Sequence, residues 1–68
     1  MASEQRRLGM QIATMRNARE LTQEALARKA GISLGYLARL ETGRQDPSLA
    51  TLRKLAKALK VKLADLLK

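Results

Sequence analysis

Cysteine, histidine, tryptophan and phenylalanine are all absent from the 68-residue sequence, and tyrosine occurs once. Without thiolates and imidazoles the chain has neither disulfide bonds nor the usual ligands of a structural zinc site, so we expect packing alone to stabilise it. Without histidine it also lacks the general base of a serine hydrolase. The sequence therefore predicts no cofactor, no metal site, no evident small-molecule ligand and no enzyme activity.

Long apolar runs are also missing. No stretch approaches the roughly 20 apolar residues that a membrane-spanning helix needs. The first residues, Met1 to Gln5, lack the apolar core of a signal peptide. We therefore expect a cytoplasmic protein without a membrane anchor.

Acidic residues are scarce, with six Asp and Glu against 14 Lys and Arg, which gives a formal net charge of +8. A surplus of this size on so small a protein predicts a polyanionic partner. Charge alone does not distinguish nucleic acid from a membrane surface or an acidic protein. The choice between these partners has to come from a more specific pattern.

Hydrophobic residues make up 46% of the sequence, and most of them are leucine and alanine, which favour helices. A first helix is predicted over residues 3–19, with Ser3 as its N-cap. Its apolar residues recur at helical spacing, at Leu8, Ile12 and Met15. Nothing in the chain alternates as a strand would, so we expect helices throughout.

Two short helices follow, separated by a tight turn. Thr22 is suited to cap the second helix, and Gly31 is suited to end it in the left-handed conformation. Ser33, only two residues later, is suited to cap a third helix that runs to Glu41. The third helix would present Leu37 and Leu40 inward.

A fourth helix begins at one of two caps, either Asp46, which is followed by the chain's one proline, or Ser48. Its predicted buried stripe consists of Leu49, Leu52, Leu55, Ala56 and Leu59. A short fifth helix is predicted over residues 63–67. Lys60 and Lys62 flank the junction, where a glycine stop and a polar cap would be ideal.

Residues 21–43, LTQEALARKAGISLGYLARLETG, form the most specific pattern in the chain. They resemble the helix-turn-helix of the phage lambda repressor and Cro family, the XRE-type transcriptional regulators. The matching residues are Thr22-Gln23, Leu26-Ala27, Ala30-Gly31-Ile32-Ser33 and Leu40-Glu41-Thr42-Gly43, and the likeness continues through Pro47-Ser48-Leu49 and Leu55-Ala56-Lys57-Ala58-Leu59. It covers about residues 8–67.

This resemblance implies an all-α fold, a compact bundle of five short helices of the lambda repressor type. It implies one DNA-binding domain over residues 1–68, with the motif at about 22–41 and with residues 1–3 as the segment expected to be flexible. The implied function is sequence-specific binding of double-stranded DNA by a regulator of the repressor or Cro type. Its recognition helix, about residues 33–41, would lie in the major groove.

Carried over residue by residue, the resemblance assigns two sets of DNA contacts. The positions from which such proteins contact bases are Ser33, Leu34, Gly35 and Arg39. The positions that resemble phosphate contacts are Gln23, Tyr36, Thr42 and Arg44. Of the first set, Arg39 is the favoured base-reading residue, because a guanidinium can donate two hydrogen bonds to guanine. Tyr36 has an open alternative, in which its ring packs beside the core.

Arg16 and Glu41 match a pair that often forms a partly buried salt bridge in this family, between the first helix and the end of the third. A structural role is therefore expected for both. An additional contact from Arg16 to a phosphate is compatible with this position.

Other interpretations of the sequence have less support. Residues 31–35 match the G-x-S-x-G pattern of a nucleophile elbow, but that motif needs a preceding strand and a histidine partner. A nonspecific nucleic-acid coating protein is the nearest alternative, since Leu34 and Gly35 offer few donors to bases. A membrane-surface peptide or a protein-bridging adaptor is the alternative from another class.

The resemblance to this family implies a homodimer that binds a roughly palindromic site. A surplus of apolar residues near the end of the sequence points the same way, because so small a core does not hide all of Leu63, Leu66 and Leu67.

Overall fold

The computed structural model describes residues 3–68, which form five helices and no strand. In chain order these are α1 (Ser3–Ala18), α2 (Gln23–Ala30), α3 (Leu34–Glu41), α4 (Leu49–Leu59) and α5 (Leu63–Leu66). The prediction of an all-α, five-helix fold is confirmed. The flexibility expected for residues 1–3 concerns in part residues 1–2, which lie outside the described residues, and Ser3 is already the first residue of α1.

Hydroxyl caps begin three of the five helices. Thr22, Ser33 and Ser48 have extended backbone conformations, and each side-chain oxygen accepts a hydrogen bond from the backbone N–H three residues later, at 3.0–3.1 Å. One such bond satisfies one of the donors left free at a helix start. Of the two caps predicted for α4, Ser48 is therefore the one used, and Asp46 lies in the preceding loop.

Left-handed residues follow four of the helices, namely Glu20 after α1, Gly31 after α2, Gly43 after α3 and Lys60 after α4. Gly31 (φ 71°) ends α2, and the N–H of Ile32 donates to the carbonyl of Ala27 at 3.0 Å. Lys60 (φ 58°) plays the same part after α4, although it carries a side chain. Side chains disfavour this conformation, which is why glycine usually occupies it.

Replacing Lys60 by glycine is expected to raise the free energy of unfolding by about 1 kcal/mol, because glycine adopts the left-handed conformation without the clash that a Cβ makes. Urea denaturation measures the change. Lys57→Gly removes the same charge from the helical last turn of α4, and there glycine should cost about 1 kcal/mol. Equal destabilisation by both substitutions would show that Lys60 is not strained.

A single apolar core lies between the helices. Its buried members are Ile12, Leu26, Ala27, Ala30, Leu37, Leu40, Leu52, Leu55, Ala56, Leu59 and Leu66. One prediction about apolar residues is wrong. Leu49, expected in the buried stripe of α4, is 52% exposed because it is the first residue of the helix. Near the end of the sequence, Leu66 is 1% exposed because α5 folds back on the core, whereas Leu67 is 57% exposed.

Candidate nucleic-acid interface

The turn between α2 and α3 fixes the angle at which α3 meets the rest of the protein. Gly31 reverses the chain, and Ser33 caps α3 two residues later. Ala27 is buried where α2 packs against its neighbours, and its small side chain permits a close approach. Leu37 and Leu40 are fully buried and attach one face of α3 to the core. The opposite face of α3 is consequently held rigidly at the surface.

The four residues expected to contact bases lie either at the N-terminal end of α3 or on this exposed face. Ser33, Leu34, Gly35 and Arg39 are all exposed, and Leu34 is 46% exposed despite its apolar side chain. Arg39 follows Gly35 by one helical turn, so the two lie on the same side of α3. Ser33 has a second role, since its Oγ accepts the capping bond from the N–H of Tyr36.

The end of the Arg39 side chain lies beside Gly35, one turn earlier in α3. It is hydrogen-bonded to a residue of the loop that follows α3. Its Nε donates to Oε1 of Gln45 at 3.2 Å, which leaves both terminal amino groups without a partner among the described residues. A Cβ built on Gly35 would lie 3.4 Å from Nη1 of Arg39, in ordinary contact, with nothing else within 4 Å. Packing within the protein therefore does not explain the glycine. The contribution of Gln45 was missed by the sequence analysis.

The residues expected to contact phosphates are not equally free. Gln23 is half-buried, and its Nε2 donates inward to Oε1 of Glu41 at 2.8 Å. Thr42 donates its hydroxyl to the carbonyl of Arg39 at 3.1 Å. Tyr36 is half-buried and packs against the core, in agreement with its alternative role. Arg44 is exposed and forms no salt bridge among residues 3–68.

Arg16 and Glu41 form the most extensive side-chain network in the described part of the chain. Arg16 Nε donates to Oε2 of Glu41 at 2.7 Å, and Nη2 donates to Oε1 at 3.1 Å. Nη1 of the same guanidinium donates to the carbonyl of Leu21 at 2.7 Å. The Arg16 and Glu41 side chains are only 13% and 6% exposed. Since Glu41 also accepts from Gln23, this network joins α1, α2 and α3.

Gly9 was not singled out from the sequence, yet it lies where α1 and α3 approach most closely. It is buried, and a Cβ there would overlap the carbonyl oxygen of Leu40 and lie 2.7 Å from that of Glu41. The available signal was an isolated glycine inside a predicted helix, which usually has a packing reason.

Within residues 3–68 no helix is long and apolar enough to cross a bilayer. The same residues contain no group of three or more acidic side chains positioned to hold a metal ion.

Comparisons with known proteins agree with this geometry. The model of the helix-turn-helix family HTH_3 matches residues 12–66. The immunity repressor protein of Bacillus phage phi105 is 44% identical over 57 residues, which are 84% of this chain and 40% of that protein. The uncharacterized HTH-type transcriptional regulator y4dJ of Sinorhizobium fredii is 41% identical over 59 residues, 87% of this chain and 77% of that protein.

A solved structure is similar over almost its whole length. The restriction-modification controller protein C.AhdI of Aeromonas hydrophila superimposes with a TM-score of 0.93 at 31% identity, covering 94% of this chain and 97% of that one. The family model spans α2, the turn and α3 together with the helices that support them. The chain therefore belongs to the HTH_3 family of helix-turn-helix proteins.

Proposed function

We propose that this protein is a transcription regulator that binds double-stranded DNA in a sequence-specific way, with α3 in the major groove. The observation that carries the proposal is the exposed face of α3, which the buried Leu37 and Leu40 hold in one orientation. A rigid helix presented in this way fits a major groove about 12 Å wide. The names of the repressor and regulator relatives support the same function. The proposal places the protein in the cytoplasm, where it meets DNA.

Arg39 is proposed as the principal base-reading residue. Gln45 accepts only from the Nε of Arg39, so the terminal amino groups of Arg39 remain for the O6 and N7 acceptors of a guanine. Ser33 keeps its hydroxyl hydrogen for a second polar contact, and Leu34 offers an apolar contact to a thymine methyl group. Gly35 lets the helix backbone approach the groove, since nothing inside the protein requires a glycine there.

Arg44 is proposed as the strongest of the phosphate contacts, because it is exposed, cationic and without an ion pair in the described chain. Thr42 and Tyr36 are assigned weaker phosphate contacts, since the Thr42 hydroxyl already donates to the carbonyl of Arg39 and the Tyr36 ring packs against the core. Gln23 contributes less through its side chain, which Glu41 already engages. The N-terminus of α2, with its free backbone N–H groups, supports a phosphate contact at this end.

The different contacts proposed for Arg39 and Arg44 give a direct prediction. Arg39→Ala should cost about 1 to 3 kcal/mol on the best site and relax preference at one base position, with little effect on random DNA. Arg44→Ala should weaken binding to every sequence alike and lower the salt slope by about 1. Fluorescence anisotropy on a panel of duplexes that differ at single base pairs measures both effects.

Arg39→Lys makes this test more specific. Lysine keeps the positive charge but lacks the planar guanidinium, which can donate two hydrogen bonds to one base. It should restore affinity for random DNA more fully than base preference. If both alanine variants lower affinity uniformly, and no base position relaxes, then Arg39 contacts phosphate and its proposed role is wrong.

A homodimer is proposed as the DNA-bound form. Of the three leucines that suggested it, Leu66 is buried and Leu63 packs against the core, so the exposed surface that remains is Leu67, at 57%. Leu67 lines a groove of about 660 Å³ between the start of α1 and the end of the chain described. Two-fold symmetry of the protein would be matched by two half-sites in the DNA.

A further inference from the structure

The positive charge of this protein is concentrated outside its helix-turn-helix. Residues 22–48 carry four basic and three acidic side chains, so they account for only +1 of the net charge of +8. Residues 49–68, which form α4 and α5, carry six basic side chains and one acidic side chain, a net charge of +5. The DNA-reading surface therefore does not explain most of the surplus.

Three lysines of residues 49–68, together with Lys29 of α2, surround one groove between α2 and α4, here named the lysine groove. It is open to solvent, has a volume of about 360 Å³ and is lined by Lys29, Ala30, Lys54, Lys57, Ala58 and Lys60. The four lysines are exposed, and none of them forms a salt bridge within residues 3–68. No acidic side chain lines the groove, so its positive potential is not neutralised from within.

The lysine groove is remote from the residues assigned to DNA. Along α2, Lys29 lies about 9 Å beyond Gln23 and roughly 240° around the helix axis. Along α4, Lys60 lies about 16 Å beyond Leu49, the end of the helix nearer to the loop that contains Arg44. A duplex held by α3 would leave this groove uncovered.

We propose that the lysine groove binds a carboxylate-rich segment of a partner protein. Lys54 and Lys57 are one helical turn apart, about 4.5 Å along the axis, which matches the spacing of acidic side chains on a helical peptide. Each lysine ammonium group is a compact point charge, so each one can pair with a separate carboxylate. Electrostatic complementarity of this kind accelerates association and selects acidic partners.

The floor of the groove favours a peptide over nucleic acid. Ala30 is buried and Ala58 is half-buried, and both line the groove. Their methyl groups suit the apolar side chains that lie between carboxylates in a protein segment, whereas a phosphate backbone gains nothing from them. A single strand would need aromatic side chains for stacking, and Tyr36, the one aromatic residue of the sequence, does not line the groove.

Lys60 provides a second observation. It holds the left-handed conformation (φ 58°) that favours glycine, and it lines the groove. Here the side chain adds a fourth ammonium group to the groove, at the stability cost already described.

The experiment compares two double variants that remove the same charge from neighbouring positions of the same helices. Lys29→Gln with Lys54→Gln removes two lysines of the groove, and Arg28→Gln with Arg53→Gln removes two exposed arginines that do not line it. The probe is a labelled peptide that repeats the unit Glu-Ala-Leu. A neutral version, in which each Glu is replaced by Gln, is measured beside it. Anisotropy titrations give the affinities, and circular dichroism checks folding.

We expect the acidic peptide to bind the natural protein and the arginine variant similarly, and the groove variant about 5- to 30-fold more weakly. The neutral peptide should bind none of them measurably. Random duplex DNA should not distinguish the groove variant from the arginine variant. Equal loss of peptide affinity in both variants would overturn the proposal, because net charge alone would then explain binding. A groove variant that loses duplex affinity and keeps the peptide would instead identify a nucleic-acid site.

Discussion

Replacing Gly9 by alanine is expected to lower the free energy of unfolding by about 3 kcal/mol. The added Cβ would overlap the carbonyl oxygen of Leu40 and lie 2.7 Å from that of Glu41. Both oxygens belong to the backbone of α3. Unlike the end of a flexible side chain, they cannot move aside unless the helix itself shifts. The helix-propensity gain of about 1 kcal/mol from glycine to alanine is smaller than this clash. The helices must separate, and the ion pair between Arg16 and Glu41 opens with them.

Gly35→Ala is the matched control, since it makes the same substitution inside a helix. The nearest atom there is the flexible end of Arg39, at 3.4 Å, so stability should stay constant or rise by up to about 1 kcal/mol. Urea denaturation of the two variants side by side measures the difference. If Gly9→Ala is as stable as the natural protein, the close approach of α1 to α3 is wrong.

Removing either partner of the Arg16–Glu41 pair is expected to cost about 3 kcal/mol, because the remaining charge stays largely buried without its counterpart. Glu41→Ala also releases Gln23, whose amide donates to the same carboxylate. Changing both residues together, Arg16→Met with Glu41→Leu, should cost less than the sum of the single changes, since neither charge is then left unpaired.

A double-mutant cycle on Arg16 and Glu41 measures this coupling. The pair formed by Lys68 and Asp65 serves as the control, because its atoms are 3.9 Å apart and its side chains are 75% and 34% exposed. Solvent screens such a pair, so Lys68→Ala should not change stability measurably. Additive costs for Arg16 and Glu41 would show that the bridge contributes no more than two independent residues.

Local chemistry made much of the fold predictable. The hydroxyl caps at Thr22 and Ser33, and the left-handed turn at Gly31, depend on residues close in sequence, and all three take the predicted conformations. The helical spacing of apolar residues likewise located most of the core. Where two caps were open for α4, the choice of Ser48 over Asp46 depended on the path of the whole loop, which local propensity does not determine.

Contacts between distant segments were less accessible. Gly9 matters because of the backbone of α3, more than thirty residues later in the sequence, and Gln45 matters because it reaches back to Arg39. An isolated glycine inside a predicted helix signals a packing contact but not the partner, and a glutamine in a loop signals neither. The exposure of Leu49 was mispredicted for the same reason, because helical periodicity indicates a face but not what covers it.

Selection of bound duplexes from a random pool tests directly whether α3 reads a DNA sequence. We expect enrichment of one consensus with two half-sites, centred about one helical turn apart, as for a two-fold symmetric dimer. Repeating the selection with Arg39→Ala should remove a guanine preference from each half-site. A pool that remains random after selection, although the protein binds it, would contradict sequence-specific recognition.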